Sequence, residues 1–383
     1  MVLRTVIVIT LFIQTIINMT RPVITLYASE LGASTLEIGL LTATFAFFPL
    51  ILAIQAGKIA DKLGDRIPIL IGVITVIVSM AFPYFFPSMW SLYMSQIFVG
   101  IASIFIPVPL QNLLGNSANE TNRDHYFSML GMAVATGALV GPVIGGYITE
   151  YFSYSFSFLI SMFVGIIPIG FVFFLPSNKR QVIKDSQGPL SSIKLLQNPM
   201  LQKALFSSAL VLYSKDVFIA YFPLFAKNFN ISDSTIGIII AVQGLAMIVV
   251  RVILPKLIEI LGREKVLIFS IIIAGITFLL LPIASNSICM ALLSCLMGLG
   301  LGCGQPLSMT TTYNASPKSR TGEVLGLRIT INRLSQLIAP LFFGIIGTWI
   351  GIVSVFLVSG AFLVSGTYFI KSVKDHSLIK RNS

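Results

Sequence analysis

Gly57-Lys58-Ile59-Ala60-Asp61-Lys62-Leu63-Gly64-Asp65-Arg66 is the stretch on which the fold turns, because its frame returns 198 residues later as Pro255-Lys256-Leu257-Ile258-Glu259-Ile260-Leu261-Gly262-Arg263. Outward from these two loops the same offset pairs Gly39 with Gly237, Gly100 with Gly298, Pro142 with Pro340 and Gly146 with Gly344. One spacing without insertion or deletion means that the chain is two copies of one half. The copies are hydrophobic, and duplication in a hydrophobic chain is the pattern of a transporter built from repeats.

Of the 383 residues 56% are hydrophobic and 10% charged, against about 25% charged in a soluble domain. Runs over 67–86, 234–250 and 266–284 hold no ionisable group apart from a tyrosine, and each approaches the roughly 20 residues that cross a hydrocarbon core as a helix. Twelve spans are expected, near 4–28, 36–56, 67–86, 90–113, 125–149, 153–175, 204–226, 234–254, 265–284, 287–312, 323–347 and 350–370. The fold class is an all-α membrane protein, two six-helix bundles related by pseudo-twofold symmetry. The first bundle takes 1–175, a polar linker 176–203, the second bundle 204–370 and a basic tail 371–383. A short surface helix is expected at 190–196. The first apolar run reads as a span, being too long for a signal peptide.

The net charge of +11 is placed asymmetrically. With the N-terminus inside, nearly all the Lys and Arg outside the spans fall on one side, and Lys227 alone on the other. That bias puts both termini in the cytoplasm of a multi-pass cell-membrane protein and calls for no nucleic-acid partner. Cys289, Cys295 and Cys303, all in span ten, match no zinc or redox spacing. No cofactor or metal is expected.

The loop after span two resembles the signature of the major facilitator superfamily, Gly-x-Leu-Ala-Asp-Arg-x-Gly-Arg-(Arg/Lys). Positions 57, 60, 61, 64 and 66 match, Ile59 is a conservative change, and Asp65 replaces a basic residue. The resemblance implies a conformational latch made of Gly57, Asp61, Gly64, Arg66 and Arg123, echoed by Glu259, Gly262 and Arg263. Asp61 would sit at the positive N-terminal end of span eleven. Span five carries Gly137-Ala138-Leu139-Val140-Gly141-Pro142-Val143-Ile144-Gly145-Gly146. This is similar to the Gly-x-x-x-Gly-Pro-x-x-Gly-Gly motif of the drug and metabolite antiporter branch of the same superfamily, although Ser128 stands where the longer form has a glycine. Exporters of that branch also carry an arginine in span four; counting back from Gly100, Gln96 occupies the place here.

Ionisable groups inside apolar spans are costly unless paired or hydrated. Asp216 and Lys215 lie about 20 Å along span seven from Lys203, near mid-bilayer. Arg21 in span one and Arg328 and Arg333 in span eleven complete the set. Asp216 is expected to exchange a proton for a cationic partner, Arg333 or Arg21, as the conformation changes. A static ion pair that fixes helix packing is the alternative. Gln14, Asn18, Tyr27, Gln111, Asn112, Tyr213, Tyr221, Gln243, Gln305, Asn332 and Gln336 are the expected polar lining of a central substrate cavity. Pro107, Pro109 and Pro306, with the glycines from Gly298 to Gly304, give spans four and ten points at which to bend.

No helix carries a metal-ligand pair and no nucleophile has a base beside it, which argues against an enzyme; nothing resembles a selectivity filter. The expected function is secondary transport by alternating access, proton-coupled export of a small amphiphilic or anionic molecule by a monomer. A lipid or glycolipid flippase and an uptake symporter are the rival readings on the same fold.

Overall fold

The computed structural model of the chain describes residues 2–118, 123–176, 196, 198–315 and 321–379, with side chains for all of these save 53–63, 123–124, 313–315, 321–323, 325–326 and 372–379. Among the described residues there are thirteen α-helices. They are α1 (Val2–Glu30), α2 (Thr35–Leu63), α3 (Arg66–Phe85), α4 (Met89–Phe105), α5 (Pro107–Ser117), α6 (Arg123–Tyr151) and α7 (Tyr154–Val172) in the first half. The second half has α8 (Pro199–Lys227), α9 (Asp233–Leu261), α10 (Arg263–Leu280), α11 (Ser287–Ala315), α12 (Thr321–Ile350) and α13 (Ile352–Ile379). Twelve stretches are long and apolar enough to cross a membrane, with α4 and α5 together forming one of them.

The duplication is visible in backbone detail. Thr35–Leu63 and Asp233–Leu261 are the same interval shifted by 198, as are Met89–Ser117 and Ser287–Ala315. Left-handed backbone falls at Gly32 (φ 86°) and Asn230 (φ 54°), and again at Gly64 (φ 78°) and Gly262 (φ 81°), two pairs at that offset. Ser88 caps α4 by accepting from Ser91 N, and its counterpart Asn286 caps α11 by accepting from Cys289 N. Even a tertiary contact repeats: Gly100 lies against the Phe45 carbonyl, and Gly298 against the carbonyl of Gln243. Each copy thus brings its second and fourth spans together at a glycine, which lets two backbones approach.

The chain divides into two compact units, Met1–Lys184 with Ala226–Ala241, and Asp185–Phe225 with Val242–Ser383. In the first, α1 packs on α6 and α7, α3 on α4 and α7, and α2 on α4. The end of α8 and the start of α9 also belong to this unit. There Glu150 Oε2 accepts from Ser234 N at 2.9 Å, Lys227 pairs with Asp233 at 2.6 Å, and Gly237 touches the carbonyl of Pro142. In the second unit α10 packs on α11 and α13, and α12 on α13.

Three expectations need adjustment. Helix α8 begins at Pro199, five residues before the expected span, because Asn198 caps it by accepting from Met200 N at 3.0 Å and proline suits a first helical turn. Span four breaks at Ile106, ahead of Pro107, whereas α11 runs through Pro306 without interruption. Helix α13 continues into the basic tail as far as Ile379. The surface helix expected at 190–196 lies outside the described residues except for Leu196.

Candidate transport site

The polar side chains of the second unit converge on the contact between α8 and α12. Asp216, 3% exposed, accepts from Gln336 Nε2 at 2.6 Å, and Gln336 Oε1 accepts in turn from Arg333 Nη1 at 3.2 Å. Gln336 therefore touches both the acid and the arginine. One turn closer to the start of α12, Ser208 Oγ donates to Asn332 Oδ1 at 2.9 Å. Gln305 of α11 joins this group, giving its Nε2 to the Ser208 carbonyl at 3.0 Å and taking Arg328 Nη2 on Oε1 at 2.7 Å. Residues 328, 332 and 336 follow one another at four-residue spacing, so a single stripe of α12 supplies the set.

The tyrosines are placed differently. Tyr213 and Tyr221 are buried, with their hydroxyls committed to the Ser359 carbonyl at 3.3 Å and the Pro340 carbonyl at 2.6 Å. Gln243 is buried against Met297, donating to its sulfur at 3.1 Å. In the first unit Asn18 Nδ2 bonds the Gln14 carbonyl at 2.7 Å, Tyr27 meets Ser155 at 2.9 Å, and the Arg21 guanidinium lies over the Phe45 ring at 5.0 Å. Gln111 is exposed, while Asn112 is half-buried with its Nδ2 lacking an acceptor among the described residues. Lys215 is half-buried.

Of the latch residues, Gly64 and Gly262 occupy the left-handed turns that begin α3 and α10. Arg66 lies over the Phe173 ring at 5.2 Å, and Glu259 and Arg263 are exposed. The side chains of Gly57, Asp61 and Arg123 lie outside those described.

The span-five glycines carry out close packing. A Cβ at Gly141 would stand 2.7 Å from the Met19 nitrogen and 2.7 Å from the Thr15 carbonyl oxygen, both backbone atoms. Gly137 and Gly145 meet the same helix one turn to either side. At the equivalent places α12 has Ser335, Ala339 and Phe343, and these line a cavity of about 500 Å³ between α8, α12 and α13. Its walls are apolar apart from Ser335 and Tyr213, and both of their hydroxyls are bonded to backbone carbonyls.

One charged residue escaped the reading of the sequence. Arg251 of α9 donates Nε to the Gly302 carbonyl at 3.2 Å. Arg251 lies inside the expected span 234–254, just past the uncharged run that ends at Val250, and is not among the in-span charges singled out above. The helix in fact runs eleven residues beyond Val250, to Leu261.

With this geometry the family follows. The model of the Major Facilitator Superfamily matches residues 6–225 and 204–381, and the chain belongs to that family of membrane transporters. It is 26% identical over 356 residues to an uncharacterised MFS-type transporter of Methanocaldococcus jannaschii, covering 90% of each chain. It is 24% identical over 378 residues to the multidrug resistance protein MdtG of Salmonella paratyphi A, covering 94% of this chain and 92% of that one. With the class H tetracycline resistance protein of Pasteurella multocida it shares 23% identity over 329 residues, 84% and 81% of the two chains. The crystal structure of the nucleoside transporter NupG superposes with a TM-score of 0.78 at 12% identity, over 97% of this chain and 98% of that one. The protein is a multi-pass membrane transporter with the twelve-span fold of its family.

Proposed function

We propose that the chain exports a small amphiphilic or anionic molecule against inward movement of protons, by alternating access. The observation that carries the reading is Asp216, a carboxylate buried in a membrane span and held by a neutral amide that itself contacts Arg333. Ionisable groups inside membrane spans are costly and mark proton and substrate paths. Gln336 touches both groups, so turning its amide would change what Asp216 meets. The drug-resistance names among the relatives and the intact span-five glycine motif support export over uptake. In this reading the two repeats rock about a central polar path, the latch closes the cytoplasmic side, both termini are cytoplasmic and one chain suffices.

Asp216→Asn in proteoliposomes with an imposed pH gradient is the test. Gradient-driven transport should disappear while counterflow exchange of the same compound persists. Gradient-driven transport at the unmodified rate would remove Asp216 from the coupling.

A further inference from the structure

Among the described residues Arg328 is a buried cation without a counter-ion. The residue is 9% exposed, and its contacts are neutral: Nη2 to Gln305 Oε1 at 2.7 Å and to the Gln305 carbonyl at 3.4 Å, and Nη1 to the Met309 sulfur at 3.3 Å. Its Nε has no acceptor among the described residues. A thioether is a weak acceptor, so among the described residues much of the guanidinium's five-donor capacity is unused. The buried acid of this unit does not neutralise it. Asp216 is held by Gln336, eight residues further along α12, or about 12 Å at 1.5 Å per residue.

Arg328 also belongs to the second copy alone, since the residue at its place in the first copy is Leu130. Packing common to both copies does not require it. One turn away on the same face, Asn332 accepts from Ser208 through Oδ1, and among the described residues no hydrogen bond uses its Nδ2 donors. Gln305 holds the guanidinium from the other side and is itself fixed by the Ser208 carbonyl. A planar fork of donors, braced by one amide and flanked by a second, is built to receive an oxyanion.

From this arrangement we propose that Arg328 and Asn332 bind the anionic group of the cargo, a carboxylate or a phosphate monoester, with Gln305 as the positioning residue. The inference rests on the export reading only in taking that anion to be the cargo. Burying an isolated guanidinium is unfavourable, and a bound oxyanion replaces the missing partner.

The test is thermal unfolding of the purified full-length protein in detergent, with octanoate and phenyl phosphate as probes and benzyl alcohol as the neutral control. Both anions should raise the midpoint in a saturable way and benzyl alcohol should not. Arg328→Met should weaken anion binding on the order of thirtyfold or more, yet without ligand it should melt at or above the unmodified protein. Arg328→Lys should retain part of the binding. Anion binding unchanged in Arg328→Met would overturn the proposal, and so would a ligand-free Arg328→Met protein that melts well below the unmodified one. Should Arg328→Met fail to fold, Asn332→Leu carries the test, with weakened anion binding expected and unchanged binding against the proposal. A shift given by phosphatidylglycerol nanodiscs but not by the free anions, and lost in Arg328→Met, supports the site with a lipid headgroup as its anion. The assay uses no proton gradient, so it stands apart from Asp216→Asn. Loss of coupling there with anion binding intact would leave this site in place, and the reverse would leave the coupling.

Discussion

Helices α1 and α6 in the first unit and α8 and α12 in the second are the same pair at an offset of 198, and they are joined by opposite means. The first pair is closed by absence of side chain: Gly137, Gly141 and Gly145 let α6 lie on the backbone of α1 around Thr15 and Met19. The second pair is laced by side chains, Ser208 to Asn332, Gln336 to Asp216 and Tyr221 to the Pro340 carbonyl. Beside that lacing, larger residues at the glycine places hold open the apolar cavity. A glycine contact in lipid gains dispersion over many atoms and offers little to switch. Polar ties are few, directional and sensitive to protonation. Duplication therefore produced one seam suited to holding and one suited to changing.

The strongest way to break the contrast is Gly141→Leu. Its side chain would be driven into the backbone of Met19 and Thr15, which cannot yield as a flexible side chain would. A loss of about 3 kcal/mol or more is expected, read as a much lower thermal midpoint in detergent and loss of transport. Gln336→Leu attacks the laced seam by removing the amide that donates to Asp216. The cost expected is about 2 kcal/mol, with the larger effect on coupling, measured as transport under a pH gradient against counterflow. The smallest change sharpens the comparison. Ala339→Leu stands at the place of Gly141 but faces the cavity, so it should leave the midpoint within about 1 kcal/mol of the original or raise it by filling space. Equal damage from Gly141→Leu and Ala339→Leu would show that the two seams do not differ as described.

The sequence makes the repeat legible because a fixed offset leaves its mark on glycines, prolines and cap residues, whose roles are set by the local backbone. Gly64 and Gly262 pair in the chain and share a left-handed turn in the structure for that reason. A bend near Pro107 was open to reading, but the full break at Ile106 was not. The lacing of α8 to α12 was legible in part: Asp216, Asn332 and Gln336 stand out as polar groups in apolar helices, but periodicity does not say which of them meet. Gln336 as the link between Asp216 and Arg333 needed coordinates, as did the difference between Pro107, which interrupts a helix, and Pro306, which does not. Arg251 falls within the expected span 234–254, but the sequence does not show that a carbonyl of glycine-rich α11 accepts its guanidinium.

The first unit is not finished by its own repeat. Residues 226–241, from the second copy, complete it through Glu150, Pro142 and Gly146. On the ribosome the leading six spans must therefore wait with an unfilled socket until the eighth span, α9, begins to emerge. Premature termination ahead of residue 226 would strand that socket, a natural place for quality control of membrane-protein synthesis to distinguish a truncated chain from a whole one.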